Sequence, residues 1–279
     1  MNIILVDSSF TSFYRFFSTI RWMSMAHKEE YKKYKDDIKY DWSKNKIFID
    51  KYTTMYLKGI ENIVKKKVFK NSIIIFCLDA PQSTLWRKNI ANNYKGERTD
   101  LSLKRNFKPT FKYTYSKLIP KLVSKNDNMY SIKIPKVEAD DIIAVITKNI
   151  SNNISNNIYI VSGDHDFLQL GNKNVYFANY RKKKIFQLTS KEAKENLRQK
   201  LVCGDNSDNI KCIFMKETKK GERKKIKENI TIMNKYLKDN SEAMKRYKHN
   251  MKMIDFNMIP KKYVKSILKE FNNIYNVIN

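Results

Sequence analysis

The chain has 279 residues, 42% of them hydrophobic, which is enough for one large domain or two small ones with a sizeable core. Its 56 Lys and Arg residues against 28 Asp and Glu residues give a formal net charge of +28, which predicts a polyanionic partner, either nucleic acid or an anionic membrane surface. No apolar run is long enough for a membrane span, and the N-terminus does not have the pattern of a signal peptide. Three scattered cysteines exclude a disulfide framework. We therefore expect a cytoplasmic protein. An AT-rich coding bias is an alternative source of part of the Lys excess.

Three apolar runs predict buried strands: residues 2–6, 73–78 and 158–161. A helix is predicted over residues 52–64 because its apolar residues fall on one helical face. Pro135, followed by a run of acids, predicts the start of another helix. Buried strands that alternate with helices are typical of an α/β fold with a mostly parallel central sheet flanked by helices.

The pattern changes towards the C-terminus. Residues 174–188 alternate as a hairpin around residues 181–184, and from about residue 189 the pattern is helical throughout. We therefore predict two domains, 1–188 and a basic, all-helical domain over 189–279.

Carboxylates are the strongest chemical signal in this positively charged chain. Nine of them lie in short motifs: Asp7, Asp79, Glu138, Asp140, Asp141, Asp164, Asp166, Asp205 and Asp208. Several follow predicted strands directly, and the carboxyl ends of parallel strands meet at one edge of a sheet. Two carboxylates about 4 Å apart repel by roughly 4 kcal/mol at an effective dielectric near 20. Bound divalent metal would offset this repulsion, and hard cations such as Mg²⁺ prefer oxygen ligands.

Each acid also has an ordinary structural interpretation. Asp7, Asp79 and Asp164 are suitable helix N-caps. Glu138 and Asp140 would complement a helix dipole. The metal interpretation therefore depends on the whole set and not on any single acid.

A basic and aromatic stretch runs from Arg87 to Lys125. It contains 11 Lys or Arg residues and two acids, with aromatic residues interleaved. This composition predicts binding of single-stranded nucleic acid through phosphate contacts and through stacking of bases on aromatic rings. The alternative is a solvated, charged face over an ordinary pair of helices.

Several motifs together resemble the flap endonuclease and 5′→3′ exonuclease family. They are Leu78–Ala80 followed by Trp86 and Arg87, Tyr94–Arg98, Val137–Ile142, Ser162–Leu170, Gly204–Asn209, and a C-terminal stretch over 246–260. The likeness covers nearly the whole chain. One departure is that residues 211–215 stand where the family has a Gly-rich helix-hairpin turn.

The resemblance implies a PIN-like nuclease core with a basic helical arch over residues 87–125, and a C-terminal domain that holds duplex. It implies two Mg²⁺ ions as cofactors, with Mn²⁺ able to substitute. Asp7, Asp79, Asp140 and Asp164 would surround the first ion, Asp166 and Asp208 would serve the second, and Glu138, Asp141 and Asp205 would support them.

The resemblance also assigns cations and an aromatic residue. Lys95 and Arg98 would be catalytic, by stabilising negative charge near the scissile phosphate. Contacts to nucleic acid are expected from Arg87, Tyr94, Lys95, Arg98, Lys104, Arg105, Lys224 and Lys225. Helix packing is the alternative for Tyr94.

The implied function is a Mg²⁺-dependent 5′→3′ exonuclease and flap endonuclease. It would hydrolyse phosphodiesters in RNA–DNA hybrids and in DNA, removing RNA primers or 5′ flaps during replication. The chain would be monomeric, cytoplasmic (in the host cytoplasm if viral), without a membrane partner, and would act beside replication proteins such as a single-stranded-DNA-binding protein or a clamp. Two alternatives stay open: a PIN-type single-stranded ribonuclease and a non-catalytic nucleic-acid-binding module.

Overall fold

A six-stranded sheet forms the centre of the protein in the computed structural model, which describes residues 1–96, 105–180 and 182–278. The strands are β1 (Asn2–Asp7), β2 (Ser72–Leu78), β3 (Met129–Lys133), β4 (Asn157–Val161), β5 (Val175–Asn179) and β6 (Lys184–Phe186). Their spatial order is β3-β2-β1-β4-β5-β6; the first five strands in the chain pair in parallel, and β6 is antiparallel to β5. The mostly parallel sheet, its three predicted strands and the hairpin are confirmed.

Twelve α-helices are described. They are α1 (Ser8–Ala26), α2 (Lys28–Tyr34), α3 (Lys46–Val64), α4 (Lys66–Lys70), α5 (Lys108–Tyr113), α6 (Ile119–Lys125), α7 (Ala139–Ile150), α8 (Ser190–Cys203), α9 (Lys220–Glu228), α10 (Ile230–Asp239), α11 (Ser241–Ile254) and α12 (Lys261–Ile278). A π-helical turn, Thr114–Leu118, joins α5 to α6. None of the helices in the described residues is both long and apolar enough to cross a membrane.

The two faces of the sheet are covered by different helices. Alternate strand residues point to opposite faces, so Ile4 and Val6 pack in one cluster with α1 and α3, whereas Ile3 and Leu5 pack in another with α7. Residues of α12 join the second cluster, so the end of the chain returns to the sheet. The predicted division at residue 188 stays a prediction; α8 to α11 build smaller apolar clusters of their own.

The basic stretch is only partly open to solvent. Residues 108–125 form a continuous helical segment whose Leu118 and Ile119 are buried in the cluster that includes β2, and whose buried Thr114 hydroxyl is 2.7 Å from the phenol oxygen of Tyr52 in α3. Phe107, just ahead of it, packs edge-on against Phe13. This part of the stretch is therefore a helical layer over the core, and the arch stays a prediction for the residues that precede it. Arg98 and Lys104 lie outside the described residues.

The strand order creates a crevice at one edge of the sheet. The chain runs from β1 to β2 to β3 on one side and then returns to place β4 on the other side of β1. In open α/β sheets, ligands bind at such a switch point, outside the carboxyl ends of the strands. Asp7 is level with Cys77 of β2, and Val6 is level with Val161 of β4, so the three strands end together.

Candidate active site

Asp7 lies at the switch point, where β1 passes directly into α1. Its side chain is almost buried, with 5% of the residue exposed. The carboxylate Oδ1 accepts a hydrogen bond from the backbone N of Phe10 at 2.9 Å, so Asp7 is the N-cap of α1. Its Oδ2 accepts from the Ser162 hydroxyl, just beyond β4, at 2.8 Å. The carboxylate is therefore held in one orientation by both neighbouring segments.

Asp79 follows β2 and joins three elements. Its Oδ1 accepts from the backbone N of Ala139, the first residue of α7, at 2.8 Å. Its Oδ2 accepts from the Ser9 hydroxyl at the start of α1. The Ser9 hydroxyl is 2.7 Å from the phenol oxygen of Tyr115. Neither Ser9 nor Tyr115 carries a sequence signal that marks it as part of the site.

Four acids are brought close enough to repel one another. Burial, followed by the charges of Asp79 and Asp164, raises the pKa of Asp7 to about 7. The pKa of Asp140 is raised well above its usual value, by burial and then by Asp7 and Asp164. Burial likewise raises the pKa of Asp79. We name these four residues the first acid group: Asp7, Asp79, Asp140 and Asp164. Their negative charges interact unfavourably with one another.

A second pair of acids shares a lysine that belongs to none of the sequence motifs. Lys200, near the end of α8, has its ammonium 3.0 Å from Asp205 and also contacts Asp166. Burial alone would raise the pKa of Asp205, but hydrogen bonds from Ser207 and the charge of Lys200 lower it. A cavity of about 300 Å³ opens between these groups and the first acid group, lined by Phe10, Gly163, Asp164, His165, Lys200 and Asp205.

A third group gathers around Lys95, which has backbone φ of 58° in the left-handed region. The Lys95 ammonium pairs with Glu138 and is 3.9 Å from Asp208. The phenol of Tyr94 donates towards both acids, at 3.2 Å from Glu138 Oε2 and 3.2 Å from Asp208 Oδ2. Burial would raise the pKa of Glu138, but Lys95 and Arg87 lower it, so this carboxylate is held in its charged form.

Arg87 and Asp141 form a closed, buried ion pair. Arg87 is 3% exposed and Asp141 is fully buried. The guanidinium binds the carboxylate through Nη2–Oδ1 at 2.7 Å and Nη1–Oδ2 at 3.0 Å, and Trp86 Nε1 donates to the same carboxylate at 2.7 Å. Arg87 Nη1 also donates to Glu138 at 2.7 Å. The structure therefore encloses both residues: it gives Arg87 no surface for nucleic acid and uses Asp141 to fix the start of α7.

The remaining nucleic-acid residues have varied surroundings. Tyr94 is 4% exposed and packs in an apolar cluster with Leu85 and Met253, so its ring is covered. Arg105 donates to the Tyr31 hydroxyl at 2.8 Å and lies over the Tyr31 ring. Lys224 and Lys225 are exposed on α9, as an outer duplex contact requires.

Within the described residues, no group of three or more His, Cys, Asp or Glu side chains is already arranged to hold a metal ion. Several of the acids pair with lysines instead: Lys200 with Asp166 and Asp205, and Lys95 with Glu138. The donor set nevertheless consists of carboxylate oxygens, which are the preferred ligands of hard divalent cations. The residues present thus fit such a cation by chemistry and by charge.

A family model described as the 5′–3′ exonuclease, N-terminal resolvase-like domain matches residues 2–199. The chain belongs to the 5′–3′ exonuclease family. It is 28% identical to ribonuclease H of Enterobacteria phage T4 over 247 residues, which are 82% of this chain and 80% of that protein. It is 32% identical over 170 residues to the 5′–3′ exonuclease of Mycoplasmopsis pulmonis (strain UAB CTIP), covering 58% of this chain and 53% of that protein.

The fold also matches a solved member of this group. The bacteriophage T5 flap endonuclease, in a pseudo-enzyme–product complex with DNA and metal ions, aligns with a TM-score of 0.60 over 98% of this chain and 99% of that one. The sequence identity is 15%, so this likeness shows the fold. As a 5′–3′ exonuclease the chain is a nuclease, and the resemblance seen in its motifs is confirmed. The non-catalytic interpretation and that of a PIN-type single-stranded ribonuclease are set aside.

Proposed function

We propose that this 5′–3′ exonuclease is Mg²⁺-dependent and that its nine acids serve two ions unequally. The first acid group would hold one ion, and Asp166 and Asp208 would hold the other. Glu138 and Asp205 would support them, whereas Asp141 would act through the fold. The observation that carries this proposal is the convergence of four acids at the switch point: burial raises the pKa of Asp7, Asp79 and Asp140, and the charge of Asp164 adds to the rise at Asp7 and Asp140. Carboxylates held this close together repel one another, and a bound cation offsets that repulsion.

The chemistry of the site follows from its charges. A divalent ion supplies Lewis acidity towards the oxygens of a phosphodiester. Lys95, beside Glu138 and Asp208, would place a positive charge next to the reacting phosphate. Ser162 and Ser9 hold Asp7 and Asp79 in fixed orientations, so these carboxylates need little reorganisation when a cation binds.

For the substrate, we propose 5′ ends and 5′ flaps in DNA and RNA–DNA hybrids, with removal of primers or flaps during replication. Three observations support this substrate. They are the net charge of +28, the exposed lysines of α9, and the likeness to a ribonuclease H and to a flap endonuclease solved with DNA. Backbone contacts from Lys and Arg recognise the shape of the substrate and not its bases. We propose a monomer that acts beside replication proteins such as a single-stranded-DNA-binding protein or a clamp.

The test uses three 5′-labelled substrates of one sequence: a duplex with a 5′ flap, a nicked RNA–DNA hybrid and a plain single strand. We expect Mg²⁺-dependent cleavage of the first two near the junction or from the 5′ end, and no cleavage in EDTA. Equal cleavage of all three substrates, or full cleavage in EDTA, would overturn the proposal.

A stability prediction follows from the raised pKa of Asp7. The folded pKa of about 7 lies above the ordinary pKa of an aspartic acid, 3.8, so the folded state binds an extra proton between these two pH values. That contribution to stability is present below about pH 4 and is lost as the pH rises through 7. In EDTA, the melting temperature should fall between pH 5 and pH 8, and Mg²⁺ should raise it most at pH 8, where the acids are charged.

Asp7→Asn is the matched variant for this experiment, because Asn is as good an N-cap as Asp and cannot titrate. Its melting temperature should fall less between pH 5 and pH 8 and respond less to Mg²⁺. Melting curves at constant ionic strength would measure both effects. Identical pH slopes for the two proteins would contradict the assignment of the slope to Asp7.

A further inference from the structure

The C-terminal end of α11 and the turn after it, residues 250–256, contact the loop that carries Asp205 and Asp208. Asn250 is 1% exposed, and its Nδ2 donates to the carbonyl of Leu201 at 2.8 Å and to that of Lys211 at 2.9 Å. These two carbonyls lie on the segments that enter and leave the acid loop. A single buried amide therefore fixes both ends of the loop.

The same segment contacts the buried ion pair. Arg87 Nε donates to the carbonyl of Met253 at 2.9 Å, while the other nitrogens of that guanidinium bind Glu138 and Asp141. Glu138 and Asp141 flank Asp140 at the start of α7. The position of residue 253 is thus linked to the position of this acid run.

A third link runs through Gln169. Its Nε2 donates to the carbonyl of Ile254 at 3.1 Å and to that of Asp166 at 3.0 Å, and its Oε1 accepts from the backbone N of Phe256 at 3.0 Å. One side chain therefore joins the backbone of Asp166, in the segment after β4, to both sides of the turn that follows α11.

α11 is itself part of the basic helical region. Ala243 of α11 packs with Ile226 of α9 and with Met233 and Leu237 of α10 in one apolar cluster. Close-packed interiors have low compressibility and transmit strain. A displacement of α9, caused by duplex bound to its exposed lysines, can therefore be transmitted to residues 250–256 through the packed core.

We propose that residues 250–256 form a coupling element, through which duplex held by the C-terminal helices sets the positions of the acids, with Gln169 as a positioning residue. The inference rests on the proposed function, since it requires that these helices hold duplex. A buried polar group left without its partner is unfavourable, so each of the three links resists displacement. Duplex binding would in this way favour the arrangement of acids in which the phosphodiester is cleaved.

Gln169→Leu tests the coupling, because Leu keeps the approximate size and removes all three hydrogen bonds. Gln169→Glu is the second variant: it keeps the acceptor for Phe256 N and loses both donated bonds, and it serves if the Leu variant does not fold. Asn257→Ala is the matched control. It removes a hydrogen bond of 2.8 Å that Lys148 Nζ donates to Asn257 Oδ1 in the same turn. Lys148 lies near the C-terminal end of α7, and the acids lie at its N-terminal end.

The measurement is the single-turnover rate on a flap with a duplex arm divided by the rate on the single strand of the same sequence. For both Gln169 variants we expect this ratio to fall by about tenfold or more, the scale for outer partners of metal ligands. Duplex affinity and the rate on the single strand should be retained, and Asn257→Ala should keep the ratio of the parent protein.

Two outcomes overturn the inference. One is an unchanged ratio in the Gln169 variants, and the other is an equal loss on both substrates, which would indicate a purely structural role. Failure of the proposed function looks different, because the parent protein itself would then show no preference for the flap with a duplex arm.

Discussion

Asp140→Asn is expected to lower the single-turnover cleavage rate by about 10³-fold or more, the upper range for the loss of one group that stabilises transition-state charge. Asn keeps the shape of the side chain but removes the negative charge, which lies close enough to Asp7 and Asp164 for their charges to raise the pKa of Asp140. Affinity for the flap substrate should stay close to that of the parent protein, because it comes from Lys and Arg contacts to the backbone.

Gel shifts in EDTA and cleavage assays in Mg²⁺, on the same purified protein, separate the two effects. Asp36→Asn is the control, because Asp36 is an exposed acid that belongs to none of the acid motifs. This change should leave affinity and cleavage rate unchanged. Turnover close to that of the parent protein in the Asp140 variant would sink the assignment of the first acid group to a metal.

Lys95→Ala is expected to lower the single-turnover rate by about 10²-fold, since one charge contact made in the transition state is lost. The Lys95 side chain is 11% exposed and lies between Glu138 and Asp208. Lys224→Ala should instead weaken binding of every sequence alike and reduce the salt slope by about 1. A contact made equally before and in the transition state changes affinity and not the chemical step.

Rates at saturating enzyme, together with binding measured over a salt series, distinguish these two lysines. Lys225→Ala, the neighbouring exposed lysine, should behave like Lys224→Ala. The placement of Lys95 beside the reacting phosphate is untenable if its loss changes the salt slope alone and leaves the rate of the chemical step intact.

Patterns along the chain predict most strands of the sheet and the edge that carries the acids. Runs of apolar residues identify β1, β2 and β4 because a strand buried on both faces must be apolar throughout. Asp7 and Asp79 mark the ends of β1 and β2, and parallel strands bring such ends together. β3 is missing from the sequence prediction because residues 129–133 form an edge strand with exposed polar positions, which lack the apolar run.

Which residues of the basic stretch are enclosed follows from tertiary contacts alone. Arg87 and Tyr94 lie in a basic, aromatic stretch that is typical of a nucleic-acid surface, yet both are buried. Their partners are distant in the chain: Arg87 bonds Asp141, 54 residues away, and Met253, 166 residues away.

The same holds for the residues that support the site. Lys200, Gln169 and Asn250 belong to ordinary helical patterns, and their roles arise from the groups that the fold places opposite them. Periodicity and strand-end acids are local properties and can be read along the chain. The pairing of a buried polar group depends on its neighbours in space, which have no local signature in the sequence.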